Sequence, residues 1–133
     1  MKVSELTGAQ LDYWTARAEG IPAENLRIQP IQLSTDVHCV RTVRTVMLGP
    51  DQSAARDVPF EVLRYSDDWA LGGALIDKYR PNIRAFAREY ECDVEHAGGI
   101  ETGYGDTALL ALCRAVVHAA FGDDVDEVPV HPA

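Results

Sequence analysis

The sequence predicts an α+β domain, with a helix near each end and strands between them. Two segments with helical apolar spacing and capping residues, 7–20 and 106–122, frame the chain. Between them, residues 37–48 are dense in Val and Thr, which suit a pleated strand better than a helix. The expected architecture is one small domain over residues 1–125, its terminal helices packed on a short antiparallel sheet. A tail over 126–133, with Pro129 and Pro132, is expected to be extended or disordered.

In the first helix Thr7 is the expected N-cap, and Gln10 three residues on completes a capping-box pattern. Leu11, Trp14, Ala18 and Ile21 follow at helical spacing, Leu6 and Leu11 form a hydrophobic staple, and Gly20 stops the helix. Trp14, on that stripe, reads as core. Pro22 and Pro30 make 22–36 an irregular connection with a short strand at 26–28. Residues 37–48 form a strand, Gly49-Pro50-Asp51 a turn, 52–57 a loop, and 60–65 a second strand antiparallel to the first.

Ser66 or Asp67 then caps a helix that runs through Gly72-Gly73. Each glycine costs about 1 kcal/mol against alanine in a helix interior, so close backbone approach, a ligand, or a break in the helix must account for the pair. Residues 82–94 satisfy a helical period through Ile83, Phe86, Ala87, Tyr90 and Val94, and a strand period through Tyr90, Cys92 and Val94. Both readings stand. Residues 98–105 read as a glycine-rich loop. Asp106 or Thr107 caps the last helix, whose stripe of Leu109, Leu112, Cys113, Val116, Val117 and Ala120 ends at Gly122.

Charge narrows the classes of partner. The 133 residues carry 21 acidic and 12 basic side chains, a net charge of -9, which argues against a sequence-independent grip on nucleic acid. Residues 1–66 hold seven basic and eight acidic side chains, and 67–133 hold five and thirteen. Nearly all the net negative charge therefore lies in the second half, as solvated faces or as a surface for a basic partner. Three cysteines at long, irregular spacings imply no disulfide framework and fit a reducing, cytoplasmic setting. Residues 1–8 lack the apolar run of a signal peptide, and no stretch is long and apolar enough for a membrane span.

No GxSxG, GxxxxGK[ST] or GxGxxG pattern is present, and His38, His96, His118 and His131 show no metal-ligand spacing. No catalytic residue, metal ligand or cofactor is assigned. Gly103-Tyr-Gly105-Asp-Thr107 places glycines ahead of a helix N-terminus, where free N–H groups hold anions, although Asp106 opposes one there. Asp67-Asp68 reads first as a cap. Trp69 reads first as a core plug and second as a platform for a planar ligand. An acid–base pairing of Asp68 with His96 or His118 is the remaining enzymatic reading.

Three blocks together are distinctive: Leu6-Thr-Gly-x-x-Leu-Asp-Tyr-Trp-x-Ala-x-Ala-x-Gly20, Tyr65-Ser-x-Asp-Trp-Ala-x-Gly-Gly-x-Leu-Ile76, and Gly105-x-Thr-x-Leu-x-Ala-x-x-Arg-Ala-Val-Val-x-x-x-Phe-Gly-Asp-x-Val125. They resemble the NinX-like family of small bacteriophage and prophage proteins, a family of unknown function. The resemblance implies an accessory phage protein of the bacterial cytoplasm and supplies no catalytic residue. Asp106 and Ala108 stand where the family's Gly-Pro-Thr-Pro stretch has prolines, and 80–103 matches poorly. The candidate ligand-binding residues in the matching blocks are Asp68, Trp69, Gly72, Gly73, Gly105, Thr107 and Arg114. The expected function is small-ligand binding around them, with Arg114 as the fixed cation. The alternative is an acidic antagonist or adaptor that meets a basic host protein through 67–95. Trp- and Leu-rich helices are also compatible with a homodimer.

Overall fold

A computed structural model describes residues 1–31, 37–49 and 54–132. Its elements in chain order are α1 (Gly8–Ala18), β1 (Leu26–Pro30), β2 (His38–Leu48), β3 (Ala54–Leu63), α2 (Trp69–Tyr79), β4 (Asn82–Ala85), β5 (Tyr90–His96), β6 (Gly99–Gly105) and α3 (Ala108–Phe121). The α+β expectation holds, with two three-stranded antiparallel sheets, β1-β2-β3 and β4-β5-β6, in place of one short sheet. Among the described residues no helix is long and apolar enough to cross a membrane.

Several boundaries differ from the sequence reading. β3 begins at Ala54, so most of the expected 52–57 loop is strand; Pro50 and Asp51 of the expected turn lie outside the described residues. Residues 82–94 divide into two strands. Phe86 N donates to Glu89 O at 2.8 Å and closes a hairpin in the middle of what also reads as a helical stripe. The glycine-rich 98–105 segment is a strand rather than a loop, paired along β5 from His96↔Gly99 to Tyr90↔Gly105. Cross-strand pairing overrides glycine's weak strand preference there.

The caps differ in part from the sequence reading. Thr7 occupies the N-cap of α1, but its side chain makes no capping bond. Gln10 instead turns to the tail: its Nε2 donates to Val128 O at 2.8 Å and its Oε1 accepts from Val128 N at 2.9 Å. Asp68, rather than Ser66 or Asp67, caps α2 by accepting from Ala70 N at 2.9 Å. Thr107 caps α3 by accepting from Leu110 N at 3.1 Å.

The core is built on α3, seven of whose residues are buried, among them Leu112, Cys113 and Val116. Against it lie Leu6 and Leu11 from the start of the chain, Ile28 and Val40 from the first sheet, and Cys92 and Val94 from the second. Trp14 is half-buried against this cluster and donates to Asp126 O at 3.1 Å. The chain ends meet: Met1 N and Val125 O are 2.7 Å apart, and isolated backbone β-bridges pair Lys2 with Asp124 and Val130 with Ile28. Lys2–Ser4 is thereby held beside β6 and α3.

Candidate functional site

Glycines set how closely the layers approach. A Cβ on Gly103 of β6 would lie 2.2 Å from Ala111 O and 2.5 Å from Ala115 N, so strand and helix backbones touch. A Cβ on Gly105 would meet Leu110 at 2.7 Å, and one on Gly72 would meet Leu109 Cδ2 at 2.3 Å. These three glycines seat α3 on β6 and α2 on α3. Gly73 is different: among the described residues, nothing would lie within 4 Å of a Cβ there.

The close seating of α3 carries Arg114 past the edge of β6. Its Nε donates to Leu6 O at 3.0 Å and its Nη1 to Tyr104 O at 2.7 Å. Partial burial pulls its pKa below the ordinary arginine value, opposed by the charge of Asp106. A guanidinium carries five N–H donors, and the others on Arg114 have no partner among the described residues. Arg114 lines a cavity of about 360 Å³ between Lys2–Ser4, Thr102–Tyr104 of β6, and His118 of α3, with Asp123 and Asp124 at its rim.

His118, one turn after Arg114, sits between two carboxylates. Its Nε2 bonds Asp123, and its Nδ1 stands 2.6 Å from Glu101 Oε2 without the alignment of a hydrogen bond. Glu101 also reaches His96 Nε2 at 3.3 Å. Both ring nitrogens of His118 face carboxylates, so neither is presented to the cavity as a free base. Among the described residues no group of three or more His, Cys, Asp or Glu side chains is placed to hold a metal ion. Asp68 is engaged with Ala70 N, and its hydrogen bonds include none to His96 or His118.

The structure divides the residues singled out from the sequence. Arg114 borders the cavity; Asp68, Trp69, Gly72, Gly73, Gly105 and Thr107 do not. Arg114 lies five residues beyond Leu109, the contact of Gly72, which is about 7.5 Å along α3 and roughly 140° around it. Trp69 is not a core plug: it is 61% exposed at the start of α2, beside exposed Asp67 and Asp68. Lys2, Thr102 and Tyr104 were missed. Lys2 carries no pattern beyond its charge, and Thr102 and Tyr104 fall in the segment read as loop.

The family model for bacteriophage P22 NinX matches residues 2–119, about nine-tenths of the chain. The chain belongs to the NinX family. Membership makes it an accessory phage protein. No curated protein matches the chain. The stretch shared with the NinX family takes in Lys2–Ser4, β6 and nearly all of α3, and thus the cavity apart from its Asp123-Asp124 rim.

A second surface lies on the far side of β4-β5-β6, where strand alternation turns Arg84, Glu91, Asp93, Thr102 and Tyr104 away from α3. Arg84 Nη2 contacts Glu91 at 3.0 Å and Asp93 at 2.8 Å, and Thr102 Oγ1 donates to Asp93 at 2.7 Å. These bonds hold the Asp93 carboxyl below its ordinary range, the Thr102 bond contributing most. Arg84 offsets part of the acidity of this face.

Proposed function

We propose that this NinX family member is a binding protein whose ligand seat is the cavity between α3, β6 and the N-terminal segment. The ligand carries an anionic group. The observation behind this reading is Arg114, braced by two backbone carbonyls from different segments, with spare N–H groups on the cavity beside Lys2. A guanidinium fixed in this way has little rotamer freedom left to lose, and its planar fork matches carboxylate or phosphate. The engaged ring of His118 favours binding over acid–base turnover. Native mass spectrometry of protein purified from cells is expected to show a retained small anionic species, or thermal shift to reveal one from a metabolite panel. Lys2→Glu, an exposed change outside the core, is expected to abolish retention. An empty cavity and no shift with any anion would refute the reading.

A second reading is supported by the 61% exposure of Trp69 beside Asp67 and Asp68. An exposed tryptophan among carboxylates is the composition of a contact patch for a basic protein. This reading predicts salt-sensitive capture of a basic host protein that Trp69→Ala abolishes; no capture at low salt would end it.

A further inference from the structure

The hairpins of the second sheet fix where each backbone group of β6 points. Ala97-Gly98 is a two-residue turn that closes His96 against Gly99, so the hydrogen-bonded pairs alternate from there: Val94 with Glu101, Cys92 with Gly103, Tyr90 with Gly105. The other hairpin agrees. The Phe86–Glu89 bond makes Arg84–Glu91 and Asn82–Asp93 the bonded pairs of β4 and β5, which points the backbone of Glu91 and Asp93 away from β6. The N–H and C=O of Ile100, Thr102 and Tyr104 therefore face outward from the free edge of β6. Tyr104 O shows this directly, because it accepts from Arg114 rather than from Glu91.

Thr102 and Tyr104 line the cavity at this edge. Among the described residues, the N–H and C=O of Thr102 and the N–H of Tyr104 have no partner. Their side chains are held on the outer face by Asp93 and Glu91 and leave the edge clear. A strand edge with vacant donors and acceptors, next to a fixed guanidinium, is complementary to an extended chain with a terminal carboxylate.

We propose that the cavity takes the last three or four residues of an extended peptide, which adds a strand to β6 and sets its C-terminal carboxylate on Arg114 and Lys2. This rests on the cavity being the ligand seat and names the ligand class. From Thr102 to Tyr104 the edge spans about 7 Å, two strand rises, which matches a peptide end of that length. Asp123 and Asp124 at the rim favour a neutral or basic side chain upstream of the carboxylate.

The test uses the full chain, ¹⁵N-labelled, with a library of acetylated tetrapeptides bearing free C-termini and the same library amidated. Free-acid peptides are expected to bind, shift the Ile100 and Thr102 amides and slow their exchange, with at least tenfold weaker binding after amidation. Thr102→Val, which loses the Oγ1–Asp93 bond but keeps the N–H, is the control; Thr102→Pro loses that bond too and removes the outward N–H while sparing every β5–β6 backbone bond, a place where an edge strand accepts proline. It is expected to weaken binding at least tenfold. Lys2→Glu repeats the test without touching β6. Equal binding of amidated peptides, binding that leaves Thr102 unshifted, or dimerisation through β6 would each overturn the proposal. A free organic anion seated at Arg114 with Thr102 unchanged would overturn the peptide and leave the ligand seat standing.

Discussion

Replacing Gly103 with alanine tests the contact on which the cavity depends. The new Cβ would stand 2.2 Å from Ala111 O and 2.5 Å from Ala115 N, both backbone atoms of a helix that no rotamer change can move. Relief requires α3 to lift from β6 by about 1 Å, and a gap of that size forfeits a quarter to a half of each dispersion contact it opens. α3 carries seven buried residues, so the loss is shared across the core. The expected cost is about 3 kcal/mol, the upper part of the overpacking range, or a fall in Tm of about 10 °C. Gly73→Ala is the matched control, because its Cβ meets nothing within 4 Å in a helix interior. It is expected to stabilise by up to about 1 kcal/mol. Urea unfolding followed by circular dichroism reads both. A Gly103→Ala variant within about 0.5 kcal/mol of the parent, outside the ordinary overpacking range, would refute the close seating of α3.

Asp12, 5% exposed on α1 with Oδ1 accepting from Ser66 N at 2.8 Å, has its pKa raised to about 6, chiefly by burial. A pKa raised from 3.8 means the folded state holds this proton more tightly. Stability therefore falls as pH rises from about 4 to about 6 and levels above that, by about 3 kcal/mol for a two-unit shift. Asp12→Asn keeps the acceptor for Ser66 N and is expected to remove that slope in urea unfolding; an unchanged slope would exclude the assignment. Trp69→Ala is expected to change stability by less than about 0.5 kcal/mol and to remove the red-shifted component of the tryptophan emission. A larger loss would place Trp69 in the core. Cys92 and Cys113 are fully buried, with burial pushing both thiols up to about 12. Neither is expected to react with an aromatic disulfide reagent before unfolding, and rapid native labelling at either position would contradict their burial.

What was legible in the sequence followed from strong local signals. The 3.6-residue stripe of α3 and the β-branched run of β2 each specify one period, and burial does not compete with them. Residues 82–94 carried two periods at once, and only the Phe86–Glu89 hairpin, a contact between strands, decides between them. The 98–105 segment failed for a related reason. Gly103 and Gly105 read as loop punctuation, whereas their lack of a side chain serves the approach of α3, which a local pattern does not reveal. The family blocks point to α2 and α3 together, and the structure gives their residues different surroundings. Gly72 explains part of its block as packing, and Arg114 gives the other a charged group facing a cavity. The same misreading hides the candidate site: once 98–105 is a strand its outer edge becomes a row of backbone donors and acceptors, and the cavity beside Arg114 acquires a wall with the hydrogen-bonding pattern of a strand edge.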